Sequence, residues 1–97
     1  MLTQYEKLKQ RAIKLLQEKD FNTSYKVLKE CLQQDFERSD TYNLIGCYYE
    51  CIGQRPKAMK FYRVAYYMDQ TYQPAIKNLE RLGNIHSSKS RKMSVGE

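Results

Sequence analysis

The chain has 97 residues, a formal net charge of +6, 41% hydrophobic residues and 29% charged ones. This length allows one small domain that buries roughly two-thirds of its unfolded surface, and the apolar content excludes a disordered chain. No run of about 18 apolar residues is present to span a membrane, and the positive charge favours an acidic partner without choosing between protein and nucleic acid.

Helical spacing governs the chain from its start. Thr3-Gln4-Tyr5-Glu6 reads as a capping box. Tyr5, Leu8, Ala12, Leu15 and Leu16 follow at three-to-four spacing and predict a first helix over about 3–18. Lys19-Asp20 makes a tight turn, with Asp20 as the cap of a second helix over 21–34. Its apolar face is Phe21, Tyr25, Val27, Leu28, Cys31 and Leu32. Asp35 to Arg38 forms the connection, and Ser39 is the expected cap of a third helix over 40–52. Tyr42, Ile45, Gly46, Tyr49 and Ile52 face inward there, and Gly53 ends the helix in a left-handed conformation. Pro56 suits the first turn of a fourth helix over 56–68, whose apolar face is Ala58, Phe61, Tyr62, Ala65, Tyr66 and Met68. Pro74 opens a short fifth helix over 74–82 bearing Ile76, Leu79 and Leu82, and Gly83 closes it. Residues 84–97 are serine-rich and basic and are expected to form a flexible tail. Strict apolar/polar alternation is missing, so the expected class is all-α, in one helical domain over residues 1–83.

Parts of the chain echo each other at an offset of 34 residues. Gly46 pairs with Ala12, Ala58 with Ser24, Tyr62 with Leu28, Ala65 with Cys31 and Asp69 with Asp35. Small residues recur where helices approach closely, and large apolar ones where they interlock. Within residues 42–69, Tyr42, Ile45-Gly46, Tyr49, Gly53, Ala58, Tyr62 and Ala65 resemble the signature of the tetratricopeptide repeat, with Gln70 in place of its closing proline. Leu8, Ala12, Leu15, Phe21, Ser24, Leu28 and Cys31 form a worn first copy. In it, Arg11 and Lys19 stand where the family prefers leucine and glycine. Ala75, Ile76 and Leu79 begin a third copy reduced to its first helix. Glu80 replaces the small residue there, as suits a terminal helix with a polar outer face. The resemblance spans about residues 5–83 and implies a right-handed stack of helical hairpins, about two and a half repeats.

Such a stack implies a concave groove, lined by the first helix of each pair, that binds a peptide or helix of a partner protein. By position, the groove residues are Lys9, Ile13, Leu16 and Gln17, then Asn43, Cys47, Glu50 and Cys51, then Lys77, Asn78 and Arg81. One binding mode of the family clamps a carboxylate between Lys and Asn. Lys9 fits that mode, but Ile13 replaces the Asn of the next turn, and Asn43 with Cys47 does not form the clamp. Lys77, Asn78 and Arg81 are still suited to a carboxylate or phosphate. The resemblance therefore implies a non-enzymatic protein-binding adaptor that uses no cofactor and no metal. Repeats of this kind need stacked neighbours, so the short stack is expected to be completed by its partner or by a second copy, as a homo-oligomer.

A reading from a different class rests on Arg55, Lys57, Lys60 and Arg63, a basic stripe on the outside of the fourth helix. No acidic residue occurs between Glu50 and Asp69. With Lys89, Arg91 and Lys92 in the tail, the stripe could track RNA or DNA phosphates. Tyr42, Tyr49 and Tyr62 fall on core positions, which leaves few aromatics for base stacking. Tyr48, Tyr66, Tyr67 and Tyr72 have no assigned place and would suit a protein interface. Catalysis finds no support, because the single histidine, His86, falls in the tail. Cys31, Cys47 and Cys51 are odd in number and irregular in spacing, which argues against a disulfide framework. Cys47 and Cys51 lie one helical turn apart but supply only two of the four ligands of a zinc site. Arg91-Lys92-Met93-Ser94 has the pattern of a basophilic kinase site. The first seven residues show no basic segment leading into an apolar core, so no secretory leader is expected and the expected compartment is cytoplasmic.

Overall fold

The computed structural model describes residues 1–83 and 92–97. Five helices follow one another: α1 Gln4–Gln17, α2 Phe21–Gln34, α3 Ser39–Cys51, α4 Arg55–Met68 and α5 Gln73–Gly83. Each boundary lies within a residue of the one read from the sequence, and no strand occurs among the described residues. None of the described helices is long and apolar enough to cross a membrane.

The helix ends follow from local chemistry. At α1 the Thr3 hydroxyl accepts from the Glu6 amide at 3.1 Å and donates to the Glu6 carboxylate at 3.0 Å, which satisfies one of the orphan amides of the first turn. Asp20 caps α2 by accepting from the Thr23 amide at 3.3 Å. Ser39 does not cap α3: the helix starts at Ser39 itself, and the cap residue is Arg38, which makes no side-chain capping bond. Asp40 supplies the negative charge of that first turn, where the helix dipole favours it. Pro56 sits in the first turn of α4. Gly53 ends α3 at φ 80°, and Lys19 takes the same left-handed conformation after α1 at φ 64°.

Packing builds two layers. α1 packs on α2 and α3 on α4, α2 and α4 each pack on the helix that follows, and α1, α3 and α5 lie side by side. α2 and α4 do not meet. Close odd helices and separated even ones curve the stack, with the concave side on the odd helices. The core runs through both layers as one buried cluster: Leu8, Ala12 and Leu16 of α1, Val27, Leu28 and Cys31 of α2, Leu44 and Ile45 of α3, and Ala58 and Tyr62 of α4. α3 and α4 come close at Gly46, where a Cβ would stand 2.6 Å from the Tyr62 ring and 3.1 Å from the Ala58 carbonyl oxygen. The small-residue positions of the 34-residue echo are therefore places where helices touch.

Two expectations about tyrosines change. Tyr42 and Tyr49 are half-buried rather than core residues, and only Tyr62 of the three is fully enclosed. Tyr49 stacks on Phe61 at 5.4 Å, with the Lys57 ammonium 5.4 Å above its ring, and Tyr48 stacks on Tyr25 at 4.8 Å. Tyr67 remains exposed.

The tail expectation also changes. Residues 84–91, with His86, Lys89 and Arg91, lie outside the described residues, and with Arg91 goes the first residue of the kinase-like pattern. Met93 to Gly96, however, are half-buried, and Met93 and Val95 pack against the core cluster. Apolar side chains two residues apart give this end of the chain a face to bury, which its overall polarity hides.

Candidate functional site

The concave side is floored by polar groups rather than by an apolar trough. On α3, Asn43 and Cys47 are one turn apart, and Asn78 comes to them from α5; all three are 0% exposed. The Asn78 side-chain amide donates to the Asn43 side-chain oxygen at 2.9 Å. Buried amides of this kind must find partners for all their donors and acceptors. Here the partner is main chain from the chain's own end. The Ser94 amide donates to Asn78 Oδ1 at 2.8 Å, and the Ser94 carbonyl accepts from Asn78 Nδ2 at 2.8 Å and Asn43 Nδ2 at 2.9 Å. Arg81 Nη2 donates to Asn78 Oδ1 at 3.2 Å. Both hydrogens and both lone pairs of the Asn78 amide are then engaged. The Cys47 thiol adds a longer contact to the Ser94 carbonyl at 3.6 Å. Burial pushes that thiol up to about 12, so it stays protonated and able to donate.

Cations in the groove have partners within the fold. Lys9 pairs with Asp40 at 3.1 Å, as does Arg38, and the Tyr5 hydroxyl donates to the same carboxylate at 2.7 Å. Burial opposes ionisation of Asp40, but the Tyr5 hydroxyl and the two cations outweigh it and hold the carboxyl below its ordinary range. Arg81 grips Glu50 through two nitrogens at 2.7 Å each, and the Tyr62 hydroxyl donates to Glu50 at 2.7 Å. Burial again works against the charge, and Arg81 with Tyr62 still lowers the Glu50 pKa. Of the residues suggested for a carboxylate or phosphate clamp, Lys9 and Arg81 are engaged within the fold and Lys77 is exposed.

The other predicted groove residues divide. Ile13 and Gln17 line an open cavity of about 460 Å³ between α1 and the final residues, together with Lys9, Gly96 and Glu97. Gln17 donates to the Glu97 side chain at 3.2 Å. Leu16 belongs to the core, 4% exposed, and Cys51 is half-buried at the end of α3. Lys77, the 34-residue counterpart of Asn43, is exposed, and its neighbour Asn78 takes the place beside Asn43. The basic stripe lies away from this groove, on α4: Lys57, Lys60 and Arg63 are exposed, and the Arg55 guanidinium donates to the Leu82 carbonyl.

Sequence reasoning did not foresee Tyr72, Ser94 or Gly96 here. Tyr72 sends a buried hydroxyl, without a hydrogen-bond partner among the described residues, to the place where Gly96 passes. The only sequence signal for the docked segment is the Met93, Val95 alternation. No protein-family model matches this chain, and neither the curated proteins nor the solved structures contain a match to it.

Proposed function

We propose that this chain is a non-enzymatic protein-binding adaptor of tetratricopeptide type, whose concave groove takes a non-helical segment of a partner protein by its main chain. One observation carries the reading: two fully buried asparagine amides on neighbouring helices are aimed at both the N–H and the C=O of a single residue, Ser94. A paired donor and acceptor copies what a neighbouring strand offers in a sheet, so it recognises backbone irrespective of the side chain held. Internal pairing of Lys9 and Arg81 supports a main-chain ligand over a free carboxylate or phosphate.

Asn78→Asp is the test. It keeps the shape and the acceptors but removes both donors, so the clamp loses half of its pattern. In cross-linking pull-downs with the full chain as bait, partners held by wild type should be lost with the variant while helix content by circular dichroism is unchanged. A partner list identical for both would contradict the groove reading.

Exposure of Lys57, Lys60 and Arg63 on α4 supports the second reading, nucleic-acid binding on the convex side. Such binding weakens steeply with salt. If it occurs, Lys60→Glu with Arg63→Glu should abolish it and Asn78→Asp should not. No retention of RNA or DNA at low salt would end that reading.

A further inference from the structure

The segment seated in the groove has a sequence of its own, and the groove makes demands on it position by position. The Ser94 main chain is clamped by Asn43 and Asn78. The residues on either side, Met93 and Val95, are apolar and pack against the core cluster. Gly96 follows at φ 85°, a conformation that favours glycine. A Cβ there would collide with the Tyr72 hydroxyl and stand 3.8 Å from Lys9 Nζ. Glu97 then accepts from Gln17. Three independent features, a main-chain clamp, an apolar pair and a glycine-only passage, thus coincide within five residues.

We propose that the groove selects partner segments of the pattern apolar–any residue–apolar–glycine–acidic, and that residues 93–97 occupy it in cis as a competing copy of that ligand. This rests on the main-chain groove reading above and adds the class of ligand and its competitor. The two apolar side chains both pack against the core cluster, and the clamp bonds the main chain of the residue between them. The clamp sets the register, the apolar pair supplies burial, and the left-handed backbone beside the Tyr72 hydroxyl disfavours a residue bearing a Cβ at the fourth position. A tethered copy competes at an effective concentration in the millimolar range. A partner segment must therefore either outbid the tail or meet a chain from which the tail has been drawn away.

The test uses the full chain and a fluorescent peptide with the sequence of residues 92–97, read by anisotropy. Gly96→Val alters only the docked segment and should release it, so the peptide should bind this variant about ten- to a hundredfold more tightly than wild type. Val95→Asp, which places a charge on the apolar patch, should do the same. A peptide with valine in place of its glycine should bind neither chain, and Asn78→Asp added to Gly96→Val should remove binding of the original peptide. Equal affinity for wild type and both released variants would overturn the competition in cis. So would a wild-type dimer at assay concentration that Gly96→Val converts to monomer, because the segment would then be exchanged between copies. If the released groove binds random-sequence peptides as tightly as this one, with Asn78 still required, the pattern is wrong but the main-chain groove stands. If it binds no peptide in an Asn78-dependent way, both fail.

Discussion

Gly46 and Lys19 show how single residues set the tolerances of this fold. Alanine is the better helix former by about 1 kcal/mol, yet at Gly46 its Cβ would press on the Tyr62 ring and the Ala58 carbonyl. Overpacking of that kind costs about 1–3 kcal/mol. Gly46→Ala should therefore lower the urea midpoint despite the gain in propensity. Lys19 is the opposite case, a lysine held at φ 64°. Left-handed backbone costs a non-glycine residue about 1 kcal/mol, so Lys19→Gly should raise the thermal midpoint by several degrees. Lys19 was legible as a place where the repeat pattern wants glycine. Asn78 was legible as a groove residue, but its clamp was not, because repeat counting sets Lys77 and not Asn78 opposite Asn43.

Elements are held to one another across the odd layer by two carboxylates. Asp40 ties the start of α3 to Tyr5 and Lys9 of α1, and Glu50 ties the end of α3 to Arg81 of α5. Both carboxyls have lowered pKa values in the folded chain. Their contribution is therefore complete above the unfolded carboxylate range, about 4, and is lost as the pH falls through the lower folded values. Denaturant midpoints should be flat from pH 6 to 7 and drop below about pH 4, and Asp40→Asn should flatten that drop. A midpoint indifferent to pH down to 3 would contradict these ties. Arg81→Ala leaves Glu50 half-buried without its cation and should cost about 1–3 kcal/mol. The helices themselves were readable because their signals are local: the Thr3 and Asp20 caps, Gly53 and Pro56 act within a few residues. Ser39 misled for the same reason. A serine ahead of an apolar run is a cap by local rules, and Arg38 and Asp40 are placed by their tertiary partner Tyr5, over which Arg38 lies at 4.2 Å.

At the scale of the whole molecule, the 34-residue echo sets a curved stack, and the curvature makes the groove. What occupies that groove was not readable. Residues 92–97 are too short and polar to declare a structure alone, and only the assembled α1, α3 and α5 create the amides and the apolar patch that receive them. The account predicts that helix order survives when the segment leaves, since Met93 and Val95 pack at the edge of the core and not within it. Gly96→Val should leave the far-ultraviolet circular dichroism spectrum unchanged. Whether buried Asn78 holds the main chain of a non-helical segment is read out by residue-resolved amide hydrogen exchange at Ser94 in the full chain. Protection of at least about tenfold over an open chain is expected, lost in Asn78→Leu, which removes the acceptor and the donors together, while the amides of α1 to α4 keep theirs. Exchange at Ser94 as fast as in an unstructured peptide would contradict it.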